Sequence, residues 1–207
     1  RDRDVTGVQT CALPISLSVS WTRKRKKGRD MVAAQPSRFI AEMALDKATG
    51  TTVWKKDRET KYPHNNGDNK KAYATPTVVT VNGKPELVCP SSEVTVAYEP
   101  KTGEELWRFN HLKKGSMNVG SRTIAGHGFY YLLSGYQPQL MAVKQGGTGL
   151  LAKEAAAWQI DKGVPSRPSL LLVGDLLYMV ADDGLLSSID AKTGKVHYSE
   201  QIGRAHV

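Results

Sequence analysis

Cysteine is scarce in this chain, aromatic side chains are few, and no long apolar run occurs. Two cysteines in 207 residues, Cys11 and Cys89, give no disulfide framework to propose. Cys89 falls in an apolar stretch, where a lone cysteine is ordinarily a small buried hydrophobe. A membrane-spanning helix needs roughly 18 or more consecutive apolar residues, and none are present. The histidines His64, His111, His127 and His197 are scattered one by one, without the paired spacing of a zinc site, and read as surface or turn residues. No Ser-His-Asp set can be assembled from spacing. Gly146-Gly147-Thr148-Gly149 lacks the Lys-Ser/Thr of a phosphate loop and reads as a turn. The polar stretch His64-Asn65-Asn66-Gly67-Asp68-Asn69 lacks the bidentate Glu and the spacing of a calcium loop, so it reads as a connection.

The chain carries 29 Lys and Arg against 20 Asp and Glu, a formal charge of +9. Much of that excess is local. Residues 5–15 resemble the in-frame translation of a short-read sequencing adapter, and residues 202–207 resemble the same adapter from the other strand. Residues 1–16 and 202–207 are therefore set aside as expected artefacts. The run Arg23-Lys24-Arg25-Lys26-Lys27-Gly28-Arg29 lies in a segment, 17–37, expected to be a disordered connector. Without the ends and this run, 20 basic residues face 18 acidic ones, a balance of +2, which gives no electrostatic footprint for nucleic acid.

What the chain does have is a phrase repeated three times. Ala44-Leu45-Asp46-Lys47-Ala48-Thr49-Gly50 leads to Trp54, Ala97-Tyr98-Glu99-Pro100-Lys101-Thr102-Gly103 to Trp107, and Ser188-Ile189-Asp190-Ala191-Lys192-Thr193-Gly194 to Tyr198. Gly50 and Gly103 are 53 residues apart, Gly103 and Gly194 are 91 apart, so a missing copy is expected midway in the second interval. Thr148-Gly149 stands there, with Trp158 following after an insertion, Leu150 to Ala157. Such a period signals a repeat architecture.

Between the phrases, short apolar runs alternate with turn residues. Thr77–Val81 is followed by Asn82-Gly83 and Glu86–Cys89. Thr123–Ala125 is followed by Gly126-His127-Gly128, Phe129–Leu133 and Gln139–Val143. Ser169–Val173, Gly174-Asp175, Leu176–Val180, Asp182-Asp183-Gly184 and Leu185–Ile189 repeat the plan. Asn-Gly between β-rich runs is a hairpin signal, since both residues tolerate positive φ. With the strand after each Thr-Gly, this makes four antiparallel strands per repeat, the plan of a propeller blade. In the phrase itself, the acid and the threonine can accept backbone N–H groups in the turn, and glycine supplies positive φ. The aromatic can pack on the neighbouring blade.

These phrases resemble the tryptophan-docking motif of pyrroloquinoline-quinone-like (PQQ-like) β-propeller repeats, over residues 38–201. The matching positions are Asp46, Thr49, Gly50, Trp54, Glu99, Thr102, Gly103, Trp107, Asp190, Thr193, Gly194 and Tyr198, with Glu99 in place of Asp and Tyr198 in place of Trp. The resemblance implies an all-β propeller fragment of about three to four four-stranded antiparallel blades. It also implies a periplasmic or secreted bacterial protein. The family holds non-catalytic binding scaffolds and quinoprotein dehydrogenases, and the leading expectation is a binding scaffold with no cofactor. The alternative, a PQQ-dependent dehydrogenase, would need PQQ, Ca²⁺ held by acids and amides, an Asp as base and usually a vicinal cysteine pair.

One polar constellation stands apart. The first strands open with Ala74-Thr75-Pro76, Ser121-Arg122-Thr123 and Ser166-Arg167-Pro168. The first strand of a blade lines the central channel. Arg122 and Arg167 are thus candidate ligand-binding residues at matching places, converging on a small anion or a protein partner; the alternative is that each bonds carbonyls or an acid at the blade mouth.

Overall fold

The computed structural model describes residues 24–27, 30–33, 41–45, 49, 51–57, 73–91, 93–111, 119–135 and 137–203, the first three segments through their backbone pairing only. Asp46 and Gly50 lie outside these residues, as do His64-Asn65-Asn66-Gly67-Asp68-Asn69 and the first twenty-three residues. Strands β1 (Lys24–Lys27) and β2 (Asp30–Ala33) pair antiparallel, Lys24 opposite Ala33 and Lys27 opposite Asp30. The segment expected to be a disordered connector thus contains a paired strand couple.

The rest is blades. β3 (Ala41–Leu45) and β4 (Thr52–Asp57) are the described pair of the first blade. The second blade runs β5 (Thr77–Val81), β6 (Lys84–Pro90), β7 (Val94–Tyr98) and β8 (Glu105–Asn110). The third holds β9 (Ile124–Gly126), β10 (Phe129–Leu133), β11 (Leu140–Lys144) and, after the short strand β12 (Gly149–Leu151) and a 3-10 turn, β13 (Ala156–Ile160). The fourth is β14 (Leu171–Val173), β15 (Leu176–Val180), β16 (Leu185–Asp190) and β17 (Val196–Gln201). First strands meet first strands, β5 against β9 and β9 against β14, so the sheets converge on their inner strands as propeller blades do. The β5–β6 turn has φ 49° at Asn82 and 77° at Gly83, the two positive values a type I′ hairpin requires.

Register makes the repeat unambiguous. Ala44 faces Trp54, Ala97 faces Trp107, Ala142 faces Trp158 and Ser188 faces Tyr198. Each of these pairs is followed by the same irregularity, between Ala44 and Leu45, Ala97 and Tyr98, Ala142 and Val143, and Ser188 and Ile189. The degenerate third copy therefore occupies the same place in its sheet as the others.

The core sits between blades. One cluster joins Val79, Val81, Val88, Ala97, Trp107 and Phe109 of the second blade to Tyr130, Leu132, Met141 and Val143 of the third. Another joins Tyr131, Leu133, Leu140 and Ala142 of the third to Leu177, Met179 and Ile189 of the fourth. Adjacent residues Tyr130 and Tyr131 serve opposite clusters because successive side chains of a strand point to opposite faces. This is why β7 is buried at all five positions and reads as a continuous apolar run.

The insertion has a structural product. β12 leaves its own blade and lies parallel to β8, Gly149 opposite Trp107 and Leu151 opposite Phe109, as a fifth strand on the second blade. The register that aligns Ala142 with Ser188 places Lys144 where Asp190 stands in the fourth blade. A lysine cannot accept the N–H bonds that hold that turn closed, and the chain runs on along β8 instead.

Candidate functional site

In the second and fourth blades the turn between third and fourth strands is built around its acid. Glu99 Oε2 accepts the N–H of Lys101 at 2.7 Å and of Thr102 at 2.6 Å. Asp190 Oδ1 accepts the N–H of Lys192 and Thr193 and the Thr193 hydroxyl, at 3.0, 2.8 and 2.8 Å. The Thr193 hydroxyl and N–H beside it hold the Asp190 carboxyl below its ordinary range. The threonine hydroxyls in turn accept Glu104 and Lys195 N–H, at 3.2 and 3.3 Å. At Thr49 of the first blade, Oγ1 accepts Thr51 N–H at 3.3 Å.

Each turn presents a bare glycine to an indole of the preceding blade. A Cβ on Gly103 would lie 2.6 Å from Trp54 Cδ2, and one on Gly194 2.7 Å from Trp158 Cδ2. Trp54 Nε1 donates to Pro100 O at 2.8 Å. The corresponding carbonyl in the fourth blade, Ala191 O, accepts the Tyr131 hydroxyl at 2.9 Å, and the buried Trp158 Nε1 has no hydrogen-bond partner among the described residues. Burial, then the charges of Asp190 and Asp175, push the Tyr131 hydroxyl up to about 12. Tyr198, in the last blade, is exposed.

Trp107 does not lie against a glycine turn as Trp54 and Trp158 do. Its partners are a carboxylate and a ring. Nε1 donates to Glu86 Oε2 at 2.8 Å, the Tyr130 hydroxyl donates to the same oxygen, and the Trp107 and Tyr130 rings lie 4.7 Å apart. Burial and then Glu86 raise the Tyr130 hydroxyl well above the ordinary tyrosine range. The cause is the same missing turn: Gly149 has become a strand neighbour of Trp107, and nothing lies within 4 Å of a Cβ placed on it. Sequence reasoning did not single out Glu86. The signal was a lone carboxylate inside an apolar strand.

The two arginines do not hold matching places. Ile124 pairs with Tyr131 and Leu171 with Tyr178, and the two tyrosines correspond. Arg122 lies two residues before Ile124, and Arg167 four before Leu171. Arg122 thus corresponds to Ser169. The segments do lie side by side. The Ser121 hydroxyl donates to Arg167 O at 3.0 Å and Pro168 O at 2.8 Å, and Arg122 N–H donates to Ser169 Oγ at 3.4 Å. Both arginines are exposed, and neither makes an ion pair among the described residues.

Arg122 alone of the two lines a cleft. This cleft, of about 460 Å³, lies between β5 and β9 and is walled by Thr77–Thr80, Arg122–Gly128 and Gln145. Among the described residues no carboxylate lines it. Thr123 is 2% exposed, and its hydroxyl has no partner among the described residues. His127 is turned to its neighbour blade, with Nε2 2.9 Å from Gly174 O and 3.4 Å from Asp175 Oδ1. Among the other histidines, His111 is buried, 2.9 Å from Thr95 Oγ1, and not in the turn or surface setting expected of it. At the chain's end, Ile202 N–H donates to Gly184 O at 3.0 Å, so that residue engages the last blade despite lying in the segment set aside above.

The dehydrogenase alternative would require PQQ and Ca²⁺. No group of three or more His, Cys, Asp or Glu that could hold a metal occurs among the described residues, and the carboxylate-free cleft offers calcium no acid. The described residues thus offer no acid set for calcium.

Four-stranded blades with converging first strands, an aromatic facing a small residue at each third-to-fourth strand pair, and acid-closed Thr-Gly turns define a PQQ-like repeat β-propeller. The sequence profile described as outer membrane protein assembly factor BamB matches residues 90–205, and the chain belongs to that family. No curated protein matches it in sequence. Among solved structures it is similar to BamB from Moraxella catarrhalis, at 13% identity and TM-score 0.51, over 81% of this chain and 45% of that one. It is also similar to the quinohemoprotein alcohol dehydrogenase from Comamonas testosteroni, at 13% identity and TM-score 0.56, over 91% and 36%. A europium-containing methanol dehydrogenase aligns at 14% identity and TM-score 0.53, over 93% and 44%. The chain thus spans less than half the length of these structures, and the likeness is one of fold. Among the described residues no helix is long and apolar enough to cross a membrane.

Proposed function

We propose that residues 38–201 are the repeat region of a non-catalytic PQQ-like propeller, an interaction scaffold of the bacterial cell envelope, periplasmic or secreted. The observation that carries this reading is the lining of the inner-strand cleft. Among the described residues it offers hydroxyls, one arginine and apolar walls, with no acid to act as a base and no acid set for a metal. The imidazole there among the described residues, His127, is engaged by Gly174 and Asp175. Family membership supports the same reading, since the family's description is that of an assembly factor and not of an enzyme. In this reading the packing of Trp54 and Trp158 on glycine turns serves as the docking device that fixes one blade on the next. The partner is a protein, and the scaffold needs neither PQQ nor calcium.

A photo-crosslinking residue placed at exposed Thr80 of the full chain, in envelope extract, is expected to trap a discrete protein partner. Alcohol-dependent dye reduction by the purified chain supplied with PQQ and Ca²⁺ would overturn the reading.

A further inference from the structure

We propose that the cleft between β5 and β9 binds an extended peptide bearing a carboxylate, with Arg122 as the group that holds the acid. The inference rests on the scaffold reading above and names the chemistry of the ligand.

Charge gives the first argument. Among the described residues the cleft contains a cation and no anion. Arg122 is exposed and free of ion pairs among the described residues, and the lining carries no Asp or Glu. A guanidinium offers a planar fork that matches a carboxylate in two hydrogen bonds. Directly beside it, the Thr123 hydroxyl is buried without a partner among the described residues. A buried hydroxyl left unpaired is unfavourable, so a ligand that reaches it gains a bond the free protein lacks.

Shape gives the second argument. β5 and β9 are each the terminal strand of their sheets, so one backbone edge of each is unpaired by a strand. Such edges present rows of N–H and C=O groups that recognise extended chain. The strand parts of the walls are short, three residues in β9, roughly 10 Å, and five in β5, roughly 17 Å, which matches a short peptide strand. The exposed Val78 on β5 and the half-buried Ile124 and Ala125 on β9 supply apolar surface to the two walls. A compact inorganic anion would use Arg122 alone and leave these walls empty. Arg167 has no part in the site, because it does not line the cleft.

The test titrates the full chain with a fluorescent, end-blocked Ser-Val-Glu-Val-Ser peptide and its Gln counterpart, read by anisotropy. The Glu peptide should bind about ten-fold or more tightly, the factor expected of a charge-assisted hydrogen bond. Arg122→Gln should erase the preference, Arg122→Lys should restore part of it, and Arg167→Gln should leave it intact. Thr123→Val should weaken both peptides alike. Circular dichroism confirms that each variant is folded, and Arg122 is exposed enough for its loss to spare the core. Equal binding of the two peptides, an unchanged preference in Arg122→Gln, absence of binding, or binding of acetate or phosphate with no response to peptide length would each overturn the proposal. If crosslinking from Thr80 still traps a protein partner, only this inference falls. If both fail, the scaffold reading falls with it.

Discussion

Gly83, Gly103 and Gly194 all have φ between 71° and 77°, yet they face different surroundings. Gly83 opens on empty space, and the other two lie under indole rings. Gly83→Ala should therefore cost only the backbone penalty, about 1 kcal/mol. Gly194→Ala adds a clash with the fixed ring of Trp158 and should cost about 2–4 kcal/mol by urea denaturation. Trp158→Leu should relieve part of that second cost and none of the first. At the carboxylate-centred junction, Trp107→Ala should cost about 3–5 kcal/mol, the usual loss for a buried large aromatic. Glu86→Gln and Tyr130→Phe should be non-additive in a double-mutant cycle, because both touch one oxygen. The acid-threonine-glycine turn was legible in the sequence, since each residue type performs a local task there. Glu86 was not, because its role depends on two side chains from distant strands.

At the scale of elements, β12 is the part the sequence could place but not interpret. The period located Thr148-Gly149 and the insertion after it. No local pattern says that three residues will join the neighbouring blade, because that choice follows from the turn lost at Lys144. Hairpins were legible for the opposite reason: Asn82-Gly83, and the turn residues that bound the apolar runs Phe129–Leu133 and Leu176–Val180, fix strands by local geometry, and the last two were placed to the residue. The mismatch of Arg122 and Arg167 has the same origin in reverse. Similar phrases precede two strands, but the hairpin sets where each strand begins, and β14 begins at Leu171, two residues later than read from the sequence. Leu150→Pro should abolish the β12 ladder, since proline brings no N–H. Amide exchange at Trp107–Phe109 should then rise, with the hairpins of the third blade unaffected. Unchanged protection there would show that β12 adds nothing to the second blade.

For the molecule as a whole, two behaviours follow from how blades stack. The outward face of the fourth blade carries Leu171, Val173, Tyr178, Leu186 and Tyr198. Their register counterparts in the third blade, among them Ile124, Tyr131, Leu140 and Trp158, pack against a following blade. With Leu171 60% and Tyr198 44% exposed, the chain by itself should self-associate, and Leu171→Lys with Tyr198→Lys should shift its sedimentation toward the monomer. The second behaviour is alkaline lability. Tyr131 ionises near 12 when folded, against an ordinary value of 10.0, so its neutral form favours the folded state. That contribution is complete below about 10 and is lost as pH rises through about 12. Tyr131→Phe should flatten the fall in melting temperature across that window, measured against the same variant at pH 7. Finally, β12 bears on the order in which the chain is made. A ribosome delivers β8 well before Gly149, so the second blade emerges with a bare edge strand and waits for a segment of the third to cover it. Blades two and three must therefore mature as a pair. Any factor that holds the nascent chain would meet its open edge during the interval between Asn110 and Gly149.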